Sequence, residues 1–360
     1  MPVRQRALRV RLATWDDDPP VGGQGVYIRE LRSALITRGL DVTTLAGHGP
    51  FAGSYPRVTG IGHIDLSVAL NRSTRQLLEG GPDVVHASGG PGGLQLLRSL
   101  PVPLVYTAYH TYAQSHRRWR PKHGYGVIEA WGYRRASMVA AISPSTAQSL
   151  LAMGVPSSKV TVISPGIRID ESHADDNGDG EPGRMLFVGR LEPEKGPLDA
   201  VRAMRSVIEQ LPGAHAYVAG SGSLEPAVRD MIDACETRQM TFLGRLSDED
   251  VAREFRRSQI VLVPSAFEGL GLVALEAMAA GSAVVGYDVA GLHDTIGSHG
   301  ILVPHGDCSG LATACVRLLT DSSFRLDLVA SALDAVRNER SWDRCAREFD
   351  ELYRFVLDAG

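Results

Sequence analysis

Short runs of Val, Ile and Leu alternate with longer stretches in which apolar residues return every three or four positions, and the rhythm continues through both halves of the chain. Strands that read as apolar runs, not as alternating patterns, are buried on both faces, the mark of parallel α/β units. In the first half the runs predict strands over 8–13, 41–46, 83–86, 103–109, 138–142 and 160–163, with helices over 25–39, 126–135 and 144–153 between them. Ser143 before Pro144 is a helix start, Ser as cap and Pro at the first position, and Gly39 is a helix stop. The second half predicts strands over 184–188, 214–219, 241–243, 260–263, 283–286 and 301–303. A last amphipathic helix follows over 341–359.

The rhythm breaks once, at 171–183, which is acidic and glycine-rich with Ala174 as its one apolar side chain. It predicts a linker. The domains expected are therefore 1–170 and 184–340, joined by 171–183 and followed by a C-terminal helix over 341–360. Such sheets bind ligands at the carboxyl ends of their strands. Asp175, Asn177 and Asp179 begin like a calcium loop, but its twelfth position is Leu186, which lacks the bidentate carboxylate.

Composition narrows the class. The chain is 360 residues long, 44% hydrophobic and 22% charged, ordinary for globular protein, and no apolar run approaches the roughly 20 residues of a membrane span. The start lacks an apolar secretory core, so a cytoplasmic protein is expected. Cys235, Cys308, Cys315 and Cys345 lack metal-ligand spacing and read as buried thiols. The net charge of −4 conceals an asymmetry: +9 through Asp170 and −13 thereafter. The basic half suits an acidic acceptor or peripheral contact with an anionic membrane surface. No nucleic-acid partner is expected.

The richest segment runs from Glu268 on a Gly-rich turn to Glu276 inside a helix-forming run. Eight positions are about 2.2 helical turns, so both carboxylates can face one side. Gly271, Leu272 and Val273 would place backbone N–H groups at a helix N-terminus, an anion site. Carboxylates for sugar hydroxyls beside a phosphate site suit a nucleotide sugar. Upstream, Arg190 ends a strand after Val188-Gly189 and Lys195-Gly196 opens a helix. The two cations would converge on a diphosphate, Arg as a fork and Lys as a point charge, unless Lys195 pairs with Glu192. Lys195 is one of only three lysines, against 34 arginines. Gly220 and Gly222 form a further strand-to-helix glycine turn.

In the first half, Gly22, Gly23 and Gly25 form a turn that permits close approach to phosphate. A dinucleotide site would need a third spaced glycine, where Ile28 stands, and an acid ending the second strand. Asp16-Asp17-Asp18 reads as a solvated loop. His110 ends a strand, where it is either a catalytic or substrate contact or a structural residue. The basic run of Arg117, Arg118, Arg120 and Lys122 around Trp119 follows it.

Taken in order, several of these marks resemble glycosyltransferase family 4, retaining GT-B enzymes that use nucleotide sugars. They are Gly22-Gly23 and the helix after them, Ala141-Ile142-Ser143-Pro144-Ser145, Val162-Ile163-Ser164-Pro165-Gly166, Val188-Gly189-Arg190 through Lys195-Gly196, and the Glu268-to-Glu276 segment. The resemblance spans nearly the whole chain. It implies two Rossmann-like domains facing a cleft, with the last helix crossing back to the first domain, and retaining transfer from a nucleoside diphosphate sugar to an acceptor hydroxyl on a small molecule, lipid or glycan. It also implies roles. Glu276 would hold the ribose hydroxyls and Glu268 would lie near the donor sugar. Arg190 and Lys195 would neutralise the diphosphate, with Gly189 at the strand end beside them. Leu272 and Val273, after Gly271, would donate N–H groups to phosphate. Gly22 and Gly23 would approach it from the opposite wall, Gly244 and Arg245 would lie near the base, and His110 would lie near the reacting sugar. No metal or cofactor beyond the donor is implied. The chain departs from the family in Leu270, where Phe is common, and in Ile167-Arg168, where an acid is frequent.

Two rivals share the nucleotide-sugar reading: an epimerase of similar two-domain shape, which needs no acceptor, and a binding module without chemistry. An NAD-dependent oxidoreductase fails on the glycine spacing.

Overall fold

The computed structural model describes the chain except residues 1–5, 18–22, 49, 51, 53–61, 90–94, 116–122, 169–179, 236 and 360. Gly22, Asp18, the basic run 117–122 and most of the 171–183 segment thus lie outside the described residues. The chain divides into two compact units, 1–166 with 342–360, and 167–341. The last helix, Trp342–Asp358, therefore belongs with the first unit.

The first unit is built on six parallel strands: β1 (Arg9–Thr14), β2 (Asp41–Ala46), β3 (Val84–Ser88), β4 (Leu104–Ala108), β5 (Met138–Ala141) and β6 (Val160–Val162), in the order β2-β1-β3-β4-β5-β6. β1, β3 and β4 bury nearly every side chain, as two-sided cover requires. The hydroxyl of Ser143 accepts the Thr146 N–H at 3.2 Å, with Pro144 opening the helix Pro144–Ala152 as the sequence predicts. The final helix is fixed by a buried polar contact. His86 of β3 lies with Nδ1 2.6 Å from the Tyr353 hydroxyl and Nε2 2.7 Å from Thr107 Oγ1, and Phe349 packs on its ring. Burial pushes its pKa down to about 3, so the ring is neutral.

The second unit repeats the plan with β7 (Glu181–Val188), β8 (His215–Ala219), β9 (Met240–Gly244), β10 (Ser258–Val263), β11 (Ala283–Tyr287) and β12 (Ile301–Val303), in the order β12-β11-β10-β7-β8-β9. β7 begins three residues earlier than the apolar run announces. Glu181 pairs with Ser258 in register and takes ion pairs from Arg184 at 3.0 Å and Arg257 at 2.6 Å. Arg184 is buried, also pairs with Glu254, and lies over the Tyr217 ring. A charged network, invisible to hydrophobic pattern, thus draws polar residues into the strand. The strand order reverses between β7 and β10, and the loops leaving their carboxyl ends are neighbours at that switch point.

Candidate functional site

The loop after β7 and the loop after β10 are stitched together. After β7 the chain turns through a short 3-10 segment, Pro193–Lys195, and the Glu194 carbonyl accepts the Ala266 N–H at 2.9 Å. Lys195 Nζ then donates to Glu268 Oε1 at 2.6 Å, and Ser265 Oγ donates to the same oxygen at 2.8 Å. Both partners of the ion pair are mostly buried, with side-chain exposures of 24% and 11%. The candidate cation and the candidate sugar-side carboxylate, far apart in sequence, are in direct contact, and Glu192 instead accepts from the Ser223 N–H and hydroxyl.

Arg190 does not join them. It is 64% exposed and pairs with Glu194 at 2.9 Å. The two cations therefore have separate carboxylate partners, Glu268 for Lys195 and Glu194 for Arg190.

The loop bearing Glu268 is clamped from its other side. A Cβ at Gly291 would overlap the Glu268 carbonyl, so only glycine allows the helix Ala290–Ile296 to approach this closely. The Thr295 hydroxyl donates to the Leu270 carbonyl. Gly271 follows at φ 89°, in the left-handed region, and precedes the helix Leu272–Ala279. The N–H groups of Leu272 and Val273 stand in its first turn, where helical amides have no acceptor within the helix.

Glu276 lies on that helix in surroundings opposite to those of Glu268. Burial first, and Asp248 second, push its carboxyl up to about 7. No hydrogen-bond partner for its side chain occurs among the described residues. One carboxylate is thus paired with a lysine, while the other sits near its midpoint at neutral pH. Gly244 ends β9 at φ 71° and its carbonyl accepts the Gly220 N–H at 2.8 Å. The Gly189 N–H donates to the Ala219 carbonyl beside them, and Arg245 is exposed.

In the first unit the first two residues of the acidic triplet are not solvated. Asp16 and Asp17 are 6% and 0% exposed. Asp16 Oδ2 accepts the Gly25 N–H at 3.0 Å, and His48 Nε2 lies 3.1 Å from its other oxygen. Asp17 pairs with Arg32 at 2.6 Å. The helix opens at Gly23, two residues before its predicted start. Asp16 therefore acts on the third residue of that helix as an N-cap would, from a distant loop. The helix dipole and Arg32 repay the burial of two carboxylates. Gly23 is exposed at the helix start. His110 follows β4 and is half-buried.

Sequence reasoning missed Ser265, Asp248 and the Asp16 contact. Ser265, three residues before Glu268, carried a weak local signal; the others depend on loops that only the fold brings together. Among the described residues, no group of three or more His, Cys, Asp or Glu is placed to hold a metal ion.

Residues 21–171 match the family model Glycosyltransferase Family 4, and residues 182–321 match Glycosyl transferases group 1. The chain is 27% identical over 393 residues to glycogen synthase of Mycobacterium tuberculosis, covering 96% of this chain and 94% of that protein. Among solved structures it is similar to sucrose-phosphate synthase from Thermosynechococcus elongatus, with a TM-score of 0.79 at 22% identity over 98% of this chain and 100% of that one. It is also similar to Anabaena Alr3699/HepE in complex with UDP, with a TM-score of 0.72 at 17% identity over 96% and 99% of the two chains. The structural likenesses show the GT-B fold. With a Glycosyltransferase Family 4 domain followed by a Glycosyl transferases group 1 domain, and two six-stranded parallel sheets beneath them, the chain is a glycosyltransferase.

Proposed function

We propose that this glycosyltransferase moves a sugar from a nucleoside diphosphate sugar to an acceptor hydroxyl, with retention at the anomeric carbon. The observation that carries the reading is the cluster at the switch point of the second sheet: Lys195, Ser265 and Glu268 in hydrogen-bond contact, just ahead of the helix Leu272–Ala279 that bears Glu276. Negative charge develops on the departing diphosphate, and a positioned lysine, an arginine and a helix N-terminus are the groups that stabilise it. Arg190 can exchange Glu194 for phosphate at little cost, since so exposed an ion pair is weak. On this reading the cations that meet the leaving group are side chains, and Glu276 takes the ribose hydroxyls. His110 meets the reacting sugar, as the family resemblance implies. HepE, which shares the fold, holds UDP, which supports a nucleotide here.

Thermal shift against UDP, GDP, dTDP and ADP sugars tests it, because a ligand bound only by the folded chain raises apparent stability by mass action. One nucleotide class should stand out. No shift with any of them would overturn the reading. Retention is read from the anomeric configuration of the transferred sugar by NMR.

On the acceptor side the same reading includes contact with an anionic membrane surface. It is supported by the helix His123–Arg135, which exposes Val127, Ile128, Trp131, Arg134 and Arg135 among its described residues, and by the excess of cations in the first half. No helix among the described residues is long and apolar enough to cross a membrane. The four cysteines are free thiols, which suits a cytoplasmic site of action.

A further inference from the structure

Around His110 the backbone is held at every step. Tyr109, the residue before it, is buried with its hydroxyl 2.5 Å from Ser88 Oγ on β3. Thr111, the residue after it, is also buried. Its N–H donates to Gln114 Oε1 at 2.8 Å, and its hydroxyl lies 2.6 Å from Ser149 Oγ on the helix Pro144–Ala152. The Tyr112 N–H donates to Glu129 Oε2 at 2.9 Å. Glu129 comes from the helix His123–Arg135, is 0% exposed, and has its second oxygen shut away from solvent.

We propose that Glu129 is a positioning residue for His110: through the Tyr112 amide, its carboxyl fixes the strand-end segment that carries the histidine. The inference rests on the reading that His110 meets the reacting sugar. Stability alone is a poor explanation for Glu129. A buried carboxyl loses its hydration, and hydrogen bonds from the Tyr112 amide and the Tyr133 side chain return only part of that. The cost is visible in its pKa, which burial pushes up to about 7 against the opposing effects of the Tyr112 amide and the Tyr133 side chain. The element this contact starts, Tyr112–Ser115, is a single turn, and so short a helix contributes little by itself. What the contact does secure is the place of the residue two positions earlier. Small displacements of a reacting-centre residue are costly in rate.

The test uses the full chain and the donor selected by thermal shift, following release of its nucleoside diphosphate. Glu129→Met should lower kcat about ten- to a hundredfold. Donor affinity by calorimetry should stay within about twofold, because a positioning effect enters kcat and not ground-state binding. Glu129→Gln keeps a carbonyl oxygen for the Tyr112 N–H and should retain kcat within about threefold. In a His110→Ala background, Glu129→Met should add less than about a twofold further loss, since residues acting through one another are not additive. If Glu129→Met does not fold, Glu129→Asp carries the same expectation, because it keeps the carboxyl but withdraws it by one methylene. Parent-level kcat in the folded Met or Asp variant, losses that multiply with those of His110→Ala, or a Gln variant as slow as Met would each overturn the proposal. Should His110→Ala itself keep parent kcat, the histidine reading fails separately, and the inference with it.

Discussion

Lys195 and Glu268 stand 73 positions apart, yet their side chains meet at 2.6 Å. Removing either leaves the other charge partly buried without its partner, so single substitutions test turnover and stability together. Lys195→Ala and Arg190→Ala should each lower kcat by about 10²–10³, the usual loss for one preorganised charge stabiliser. Arg190→Ala should leave the melting temperature nearly unchanged, because its ion pair is exposed. Near-parent turnover in both variants would reduce the pair to a structural role. Glu276 makes a different, pH-dependent prediction. Its carboxyl titrates near 7, whereas ribose hydroxyls need it ionised to accept their protons. Affinity for the free nucleoside diphosphate should therefore rise with pH until about 7 and then level off, with proton release on binding below that point. Glu276→Gln should lose roughly 1.5–3 kcal/mol per hydrogen bond at neutral pH and flatten the profile. Calorimetry in buffers of different ionisation enthalpy reads both effects, and a pH-independent parent affinity would sink the assignment.

At the scale of elements, the loop after β10 holds its shape because a helix presses on it through a glycine. Alanine in a helix interior usually stabilises relative to glycine by about 0.5–1 kcal/mol. At position 291 the sign should reverse, because the new methyl meets the Glu268 carbonyl. Gly291→Ala should destabilise by about 1–3 kcal/mol, the range for overpacking, and should slow turnover beyond what unfolding explains. A stabilised variant by urea denaturation would show that the helix has room to move. The helix His123–Arg135 makes the second prediction. Its buried residues face the core of the first unit, while Val127 (69% exposed), Ile128 and Trp131 face outward near Arg134 and Arg135. Apolar and aromatic side chains beside arginines match the interfacial zone of a bilayer. The protein should sediment with phosphatidylglycerol vesicles and not with phosphatidylcholine vesicles, less at high salt, and Val127→Ser with Trp131→Ser should abolish this. A parent protein that ignores anionic vesicles would remove membrane contact from the proposal.

For the whole molecule, His86 links β3 to the returning C-terminal helix and sets a pH dependence. Unfolded, an imidazole takes up a proton near pH 6.5; folded, His86 does not until about pH 3. Through that interval the unfolded chain binds the extra proton. The contribution is therefore complete above about pH 6.5 and is lost as pH falls toward 3. Glu129 and Glu276 act in the opposite sense. Their carboxyls are raised from 4.5 to about 7, so the stability they contribute is lost as pH rises through that window. The comparison that isolates the histidine is with His86→Phe. Its melting temperature should change less between pH 7 and pH 4 than the parent's, in scans followed by circular dichroism. Equal slopes would mean that His86 is protonated in the fold.

What the sequence determined by itself was whatever depends on neighbours along the chain. Period and run length placed eleven of the twelve strands to within two residues, Ser143-Pro144 announced a helix that begins where they say, and the Glu268-to-Glu276 segment was legible because a turn, a helix N-terminus and two carboxylates follow one another directly. The strand missed by three residues, β7, is extended by Glu181, whose place depends on arginines 3 and 76 positions away. Tertiary structure alone decided which charges meet. It gave Lys195 to Glu268 and Arg190 to Glu194, buried the aspartates that polarity had assigned to solvent, and set Glu129 beneath the segment that carries His110. The physical reason is range. Periodicity and capping act over a few residues, whereas a charge is held by whatever the fold brings within a few ångströms, and a parallel sheet brings together the ends of strands that are distant in sequence.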